Sequence, residues 1–223
     1  MTWFRKDPAF FERMRLETEA AYPELRFEMR GSHLWLSGPF RLLDEAGREL
    51  TRYQIALRLP DDFPAVVPDL FETAGRIHPV AAHHAFKDGH ACLWVSGERW
   101  IHWPRGSTLV DFLDGPVRSH LLGHAHFEIT GKWPNGARSH GPEGVFESYC
   151  EMLDLTDREQ ILEFLRLLGR DQAPRGHWPC PCGSGKRLRA CHGPRVWELR
   201  DKISPREASA ALAHANADSG RRN

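Results

Sequence analysis

The chain has 223 residues, and its 30 lysines and arginines balance its 30 aspartates and glutamates, so the formal net charge is zero. Hydrophobic residues make up 41% of it, which excludes a largely disordered chain. No apolar run approaches the roughly 20 residues of a membrane-spanning helix, and the N-terminal residues lack the apolar segment of a signal peptide. We therefore expect no membrane attachment, and the length allows one good core with an appendage or two small domains.

The five cysteines indicate a reducing compartment. Three of them stand close together near the C-terminus in a pattern typical of metal ligands, and the other two are isolated. Small secreted domains instead use cysteines as a disulfide framework. The sequence therefore predicts a cytoplasmic protein.

A helix is predicted near the N-terminus. Asp7 can cap it and Pro8 suits its first turn, while Pro23 ends it. The residues expected to pack inward recur at helical spacing along one face, namely Phe11, Met14, Thr18 and Ala21.

From Leu25 to Thr73 hydrophobic residues recur at every second position, which predicts strands. The inward positions are Leu34, Leu36, Tyr53, Ile55, Leu57 and Leu59, and they alternate with outward positions that include Gln54, Ala56 and Arg58. A turn from Asp44 to Gly47 joins two of these runs. We therefore expect an antiparallel meander of about four strands with one face packed on helices.

A cysteine and four histidines follow the predicted strands, in the segment IHPVAAHHAFKDGHACLWVSGERW. The landmarks of this region, in order, are Pro60, the pair His78 and Pro79, Gly89, Cys92, Leu93 and Trp100. The glycine lies three residues before the cysteine, the leucine directly after it and the tryptophan eight residues after it. This order resembles the core of the ubiquitin-conjugating (E2) family, over about Asp7 to Leu122.

The resemblance implies an α+β fold, an E2 (UBC)-like core in which a four-stranded antiparallel meander is flanked by helices. It also implies that Cys92 accepts a ubiquitin-like protein as a thioester from an E1-like enzyme and passes it to an amine. Bacterial relatives of E2 enzymes occur in operons with E1-like and deubiquitinase-like proteins, some of them in antiphage defence. A bacterial conjugation operon of this kind is a further implication of the resemblance.

The chemistry of a thioester carrier explains why histidines near the thiol matter. An ordinary cysteine with a pKa near 8.5 is only about 3% thiolate at pH 7. An imidazole could take its proton or, when charged, lower its pKa. The candidates are His90, which is closest in sequence, His83, His84 and His78. The family usually has asparagine where this chain has Val80, so backbone N–H groups or a histidine would have to stabilise the oxyanion.

Two other interpretations of this segment stay open. Cys92, flanked by Ala91, Leu93 and Trp94, could be a packed thiol without reactivity. The four histidines could instead bind a metal, although a metal at the thiol would block acyl transfer.

The region after Trp100 predicts helices and a surface loop. Ser107 can cap a helix with inward-facing Leu109, Val110, Phe112 and Leu113, and Gly115 with Pro116 breaks or restarts it. His120 and His124 lie four residues apart on its continuation, where solvated or helix-end histidines are favoured over zinc ligands. The turn-rich stretch from Lys132 to Gly144 is a predicted loop, in which Trp133 could bind a partner or act as a lid.

Two further helices close the predicted first domain, residues 1–169. Cys150 falls on the apolar face of the first and is a predicted packed thiol. Thr156 and Glu159 form a capping box for the second, and Gly169 stops it. A linker is predicted at residues 170–177, a metal-binding motif with a short helix at 178–203 and a partly disordered tail at 204–223.

A metal-ligand pattern lies in the sequence HWPCPCGSGKRLRACHGPRVWELR. Three thiolates and one imidazole make a complete tetrahedral set for structural zinc, and they are Cys180, Cys182, Cys191 and His192. The segment from Trp178 to Gly193 closely resembles the SEC-C zinc motif, first associated with the C-terminal end of the SecA translocation ATPase. So short a segment cannot bury a core, so metal binding must drive its folding.

Two roles are considered for this zinc-binding segment, called the zinc knuckle. Lysine and arginine outnumber acidic residues between Arg175 and Lys202, which could favour nucleic acid. Exposed aromatic residues are few there, and the resembled motif usually docks proteins, so a protein partner is favoured over nucleic acid. The sequence therefore predicts an E2-like carrier first, a catalytically inactive E2-like adaptor second and a zinc-dependent nucleic-acid-binding protein third.

Overall fold

A computed structural model describes residues 2–94, 98–134 and 142–216. The α-helices are α1 (Trp3–Lys6), α2 (Pro8–Ala21), α3 (Arg99–His102), α4 (Leu109–Phe112), α5 (Arg118–Thr130), α6 (Pro142–Leu153), α7 (Arg158–Leu168), α8 (Gly193–Lys202) and α9 (Pro205–Asn216). The strands are β1 (Arg26–Arg30), β2 (His33–Leu43), β3 (Glu49–Leu59) and β4 (Asp69–Glu72). Short 3₁₀ turns occupy Ala81–His83 and Leu188–Ala190. The fold is therefore mixed α+β.

The predicted N-terminal helix is confirmed as α2. The Asp7 carboxylate accepts a hydrogen bond from the backbone N–H of Phe10 at 2.9 Å, and Pro8 occupies the first turn. Met14 and Thr18 are buried, whereas Ala21 at the end of the helix is exposed. The cap satisfies one of the backbone donors that a helix leaves unpaired at its start.

The four-stranded antiparallel sheet is confirmed, with strand order β1-β2-β3-β4. β2 and β3 form its longest ladder, from Leu34 opposite Leu59 to Leu43 opposite Glu49. The inward positions of both strands are buried as the alternation predicts, but Ala56, expected to face outward, is fully buried. Its cross-strand neighbours are Ser37 and Phe71, and a methyl group is small enough to be covered by larger side chains beside it.

Two predicted helix caps lie one residue away from their true positions. Thr108, not Ser107, caps α4, and its side chain and that of Asp111 bond each other's backbone N–H groups. Asp157, not Thr156, caps α7 through the N–H of Gln160 at 2.9 Å. In both cases the capping oxygen must reach a backbone N–H in the first turn, and neighbouring residues of similar chemistry compete for that place. None of the helices in the described ranges is long and apolar enough to cross a membrane.

The chain divides into two compact units. The first comprises Met1–Leu93 with Arg105–Gly136, and it contains the sheet. The second comprises Trp94–Pro104 with Ala137–Asn223, and it contains α6 to α9 with the cysteine-rich segment. This division into units therefore differs from the sequence prediction, which placed residues 1–169 in a single domain.

The core of the second unit explains this grouping. The apolar faces of α6 and α7 pack in one cluster with residues from the cysteine-rich segment and from α8 and α9. Among its fully buried members are Tyr149, Phe164, Leu188, Val196 and Ala211. A short metal-binding segment cannot bury these surfaces alone, so the helices that precede it supply its core.

The predicted linker at residues 170–177 is attached to α8 by hydrogen bonds. The Arg200 guanidinium donates to the backbone carbonyl oxygens of Leu168, at 2.7 Å, and of Arg170 and Asp171. The Trp197 indole N–H donates to the Pro174 carbonyl at 3.3 Å. In the predicted tail, α9 extends to Asn216 and buries Ala208, Ala211 and Ala215, and residues 217–223 lie outside the described ranges.

Candidate thiol site and candidate metal centre

Cys92 lies at the end of a small hairpin that follows β4. The turn of the hairpin is closed by Gly89 N–H donating to the Phe86 carbonyl at 2.9 Å and by Phe86 N–H donating to the His90 carbonyl at 2.8 Å. Gly89 has a positive φ of 92°, which glycine adopts without a steric cost. Ala85 and Ala91 face each other as an antiparallel bridge behind this turn.

The hairpin is joined to the edge of the sheet. Ala91 N–H donates to the Leu70 carbonyl of β4 at 2.7 Å, and Phe71 and His90 form an isolated antiparallel bridge. Cys92 N–H donates in turn to the His84 carbonyl at 2.6 Å. The backbone of the cysteine is therefore fixed by the same ladder that extends the sheet.

The surroundings of the Cys92 thiol differ from the expectation of an activated nucleophile. The residue is partly buried, and burial raises the pKa of its thiol. A charged imidazole beside the thiol would instead lower this pKa, because it stabilises the thiolate. Burial therefore favours the neutral thiol of Cys92 over its thiolate.

His90 is paired with an acidic neighbour. Its Nδ1 lies 2.6 Å from the Asp88 carboxylate, and its ring stacks on Phe86 with the centroids 4.2 Å apart. A carboxylate only accepts hydrogen bonds, so Nδ1 carries a proton, and in the neutral tautomer the lone pair is on Nε2.

His83 belongs to a second hydrogen-bonded group. Its Nδ1 lies 3.0 Å from His124 Nε2, and His124 Nδ1 lies 3.1 Å from the Tyr53 hydroxyl. Burial lowers the pKa of His83, and the nearby His78 lowers it further. The exposed His78 ring meets the His83 ring edge to face with centroids 5.3 Å apart. These two predicted site residues therefore do come together.

His84 has an unusual backbone conformation. Its φ of 48° and ψ of 46° lie in the left-handed region, which costs a residue other than glycine about 1 kcal/mol or more. Its ring contacts the Trp133 indole edge to face with centroids 4.2 Å apart. Trp133 also donates its indole N–H to the Ala82 carbonyl at 2.9 Å. Trp133 therefore packs on the histidine segment. Residues 135–141 of its predicted loop lie outside the described ranges, and the predicted end of that loop was wrong, because α6 already begins at Pro142.

The histidines of α5 correct the sequence expectation of solvated side chains. His124 is completely buried and His120 is 7% exposed. Burial, with contributions from His84 and His124, lowers the pKa of His120 to about 3. The burial of both histidines could have been predicted, because they share one helix face with Val117 and Leu121.

We predict that His120 makes the protein sensitive to mild acid. Because its folded pKa is below the unfolded value of about 6.5, its contribution to stability is present above pH 6.5 and is lost as pH falls toward 3. One such group changes the free energy of unfolding by about 1.4 kcal/mol per pH unit in that window. His120→Leu should flatten the pH dependence measured by urea unfolding between pH 4 and 7. The exposed His126→Leu, on the same helix, should leave the slope as it is, and an unaltered slope in His120→Leu would refute the assignment.

The four predicted metal ligands form the second site. Pro179 and Arg187 make an antiparallel bridge, and Cys180 N–H donates to the Lys186 carbonyl at 2.9 Å, so the segment is a tight hairpin. Gly183 and Gly185 at its tip have φ values of 73° and 71°. The 3₁₀ turn Leu188–Ala190 then returns the chain so that Cys191 and His192 approach the first two cysteines.

Gly193 is required immediately after these ligands. A Cβ atom there would lie 2.7 Å from the Leu188 carbonyl oxygen and 2.9 Å from the Trp197 ring. Only glycine permits α8 to start this close to the preceding turn. His192 is consequently placed at the first residue before the helix, facing Phe164 with ring centroids 5.1 Å apart.

The ligand atoms have the spacing of a tetrahedral site. His192 Nδ1 lies 3.3 Å from Cys180 Sγ and 3.2 Å from Cys191 Sγ, and Cys182 Sγ lies 3.5 Å from Cys191 Sγ. All four lie within 4.8 Å of one another. Zinc bonds of about 2.3 Å to sulfur and about 2.0 Å to nitrogen put tetrahedral ligands about 3.5 to 3.8 Å apart. The cluster could therefore bind a metal such as zinc.

The protonation of the cluster also suits a cation. Burial raises the pKa of Cys180 to about 11. Burial acts in the same direction on Cys182, but hydrogen bonds with Ser184 and with the neighbouring sulfurs outweigh it and lower its pKa to about 6. The thiols lie close enough to share protons through hydrogen bonds. A divalent cation bound to the thiolates would displace those protons.

Comparison with known families supports the assignment of the metal ligands, and the match covers only the segment that contains them. The model of the SEC-C motif matches residues 179–194, which contain the whole cluster. No curated protein and no solved structure matches the chain significantly. The class that the fold and site define is therefore a mixed α+β protein with a C-terminal SEC-C motif.

We predict that the metal ligands are needed for metal binding, whereas the isolated thiol of the same unit is not. The purified protein should contain about one zinc per chain, and Cys191→Ala should lose it because three ligands remain. Metal content is measured by elemental mass spectrometry, and the melting temperature should fall with it because metal binding contributes to folding. The matched control is Cys150→Ala, since Cys150 lies outside the cluster. Retention of a full zinc equivalent by Cys191→Ala would contradict the assignment.

Proposed function

We propose that this protein is an E2-like carrier that accepts a ubiquitin-like protein as a thioester on Cys92 from an E1-like enzyme and transfers it to an amine. The observation that carries the proposal is the placement of Cys92. It ends a hairpin that is bonded to β4, the edge strand of a four-stranded antiparallel meander. The spacing of Gly89, Cys92, Leu93 and Trp100 supports the same identification.

Two acyl transfers at one sulfur make up the proposed reaction. In the first, the Cys92 thiolate attacks the thioester that joins the ubiquitin-like protein to the E1-like enzyme. A new C–S bond forms, and the cysteine of that enzyme leaves as its thiolate. In the second, the acceptor amine attacks the same carbonyl carbon, a C–N bond forms and Cys92 leaves as its thiolate. The amine proton passes to a base, and the thiolate is reprotonated.

The histidines provide the bases for this scheme. His90, two residues before Cys92 and oriented by Asp88, would accept the proton of the thiol or of the amine at Nε2. His83, whose pKa is lowered by burial, is a second neutral imidazole at neutral pH. Val80 replaces the family's asparagine, so the oxyanion would be stabilised by backbone N–H groups near Cys92 or by one of these imidazoles.

A catalytically inactive adaptor is the second candidate, and a specific observation favours it. Burial raises the pKa of Cys92, so the resting thiol is a poor nucleophile at neutral pH. An adaptor would bind a ubiquitin-like or other protein through the same surfaces without forming a thioester. The carrier proposal instead requires a base to remove the thiol proton when the partner is bound.

The SEC-C segment would act as a docking module in both candidates. Its ligands are held by a core made from α6, α7 and α8, so zinc would have a structural role. Lys186, Arg187 and Arg189 lie on this segment, and an acidic partner protein is the complementary surface.

We predict a covalent adduct that depends on Cys92. Incubation with the cognate E1-like protein, its ubiquitin-like protein and ATP should give an adduct that reducing agent cleaves. Cys92→Ala should abolish it, and Cys92→Ser should give an oxyester that reducing agent leaves intact. Cys150→Ala is the matched control, because Cys150 is also partly buried with a pKa raised by burial. An adduct that persists in Cys92→Ala would contradict the proposal, and partner binding without any adduct would identify the adaptor.

We predict that the isolated protein alkylates slowly at Cys92. Because burial raises the thiol pKa, the rate with iodoacetamide should keep rising above pH 9, where an ordinary cysteine approaches full ionisation. The rate is followed by peptide mass spectrometry from pH 6 to 10. A plateau reached below pH 8 would contradict the raised pKa.

A further inference from the structure

Trp133 is inserted against α5 at the one residue that leaves space for it. A Cβ atom on Gly123 would lie 2.6 Å and 2.8 Å from two carbons of the Trp133 six-membered ring. Contacts below 3.0 Å essentially do not occur between such atoms, so any other residue at this position would displace the indole. Phe127, one turn further along α5, stacks on the same ring with centroids 5.8 Å apart. Gly123 and Phe127 therefore form a seat for the indole.

The seated indole holds the segment that precedes the hairpin of Cys92. Its N–H donates to the Ala82 carbonyl at 2.9 Å, and its ring meets the His84 ring. The adjacent residue of α5 acts on the same segment, since His124 bonds His83 at 3.0 Å. Ala82 and His84 are thus held by Trp133, which rests on Gly123, and His83 is held by His124 of the same helix.

This restraint is needed because His84 adopts a left-handed backbone conformation. Residues other than glycine persist in that region only when their surroundings enforce it. The His84 carbonyl then accepts the hydrogen bond from Cys92 N–H at 2.6 Å. A continuous path of contacts therefore connects Gly123 to the thiol residue through Trp133 and His84.

We infer that Gly123 and Trp133 are positioning residues for Cys92, since the indole seated on Gly123 fixes the segment whose His84 carbonyl holds the Cys92 amide. Loss of the seat releases His84 from its enforced conformation and loosens the hairpin. The thiol then becomes more exposed and ionises more readily, but it is no longer held in one geometry. Reactivity with a small reagent should therefore rise while directed acyl transfer falls.

The test compares two cysteines in the same molecule. In Gly123→Ala the alkylation of Cys92 by iodoacetamide at pH 7.5 should be about tenfold faster, as expected for a fall of one unit in the thiol pKa. The pH profile should shift to lower pH accordingly. Cys150, in the second compact unit, should change less than about twofold. Equal acceleration of both cysteines, or no change at Cys92, would overturn the inference.

A double-mutant cycle identifies the path. Trp133→Leu should reproduce the effect, and it also tests the inference if Gly123→Ala fails to fold. Because Gly123 acts through the indole, the double variant should match either single variant, and additive effects would overturn the inference. The control is Ile129→Ala, on the same helix at a side chain that is 86% exposed, and it should leave both cysteines unaffected.

The transfer arm rests on the proposed function, and the alkylation arm does not. If the wild-type protein forms the thioester, Gly123→Ala should lower the rate of its discharge to an amine by about tenfold. If no thioester forms in the wild type, the proposed function fails while the alkylation results still decide the inference. A discharge rate equal to the wild-type rate, together with faster alkylation, would overturn the claim that the seat positions Cys92 for transfer.

Discussion

The hydrogen bond from Cys92 N–H to the His84 carbonyl is the constraint on which the thiol site depends. It lies at the end of a ladder that begins at β4, so the position of the cysteine is set by backbone pairing rather than by its own side chain. On the other side, His84 is held in a left-handed conformation by neighbours from α5 and from Trp133. The hydrogen bond therefore links the backbone that continues from the sheet edge to a residue whose ring packs on Trp133. This arrangement fixes a residue while leaving its chemistry to be set by burial.

The two compact units obtain their stability in different ways. The first has a sheet whose central strands bury one face, including Leu36, Phe40 and Leu57, so hydrophobic burial is its main source of stability. The second combines helices with a short cysteine-rich hairpin. Packing of Leu188 and Val196 against α7 supplies a core, and a metal on the four ligands would fix the hairpin itself. The prediction that metal binding must drive the folding of that segment therefore needs an addition, since the helices contribute as well.

Much of the architecture could be predicted from local sequence. The cap at Asp7, the alternation along β3 and the ligand set of the metal cluster depend on residues that are neighbours in the chain. The apolar neighbours of Cys92 allowed a packed thiol, but its partial burial depends on how a hairpin docks on β4, which those neighbours do not specify. The seat of Trp133 on Gly123 likewise joins residues from separate segments. The packing of α6 and α7 with the cysteine-rich segment likewise has no local signal, because an apolar helix face does not specify which surface covers it.

The central claim is that Cys92 carries a protein thioester, and it is tested most directly on the protein purified from its own cells without reductant. A Cys92→Ser variant would retain the modifier as a stable oxyester, so intact mass spectrometry and peptide mapping can locate it. The account predicts a species heavier by the mass of a small ubiquitin-like protein, with the link at position 92 and none at Cys150. Recovery of the variant only at its unmodified mass, from cells in which the conjugation system is active, would contradict it.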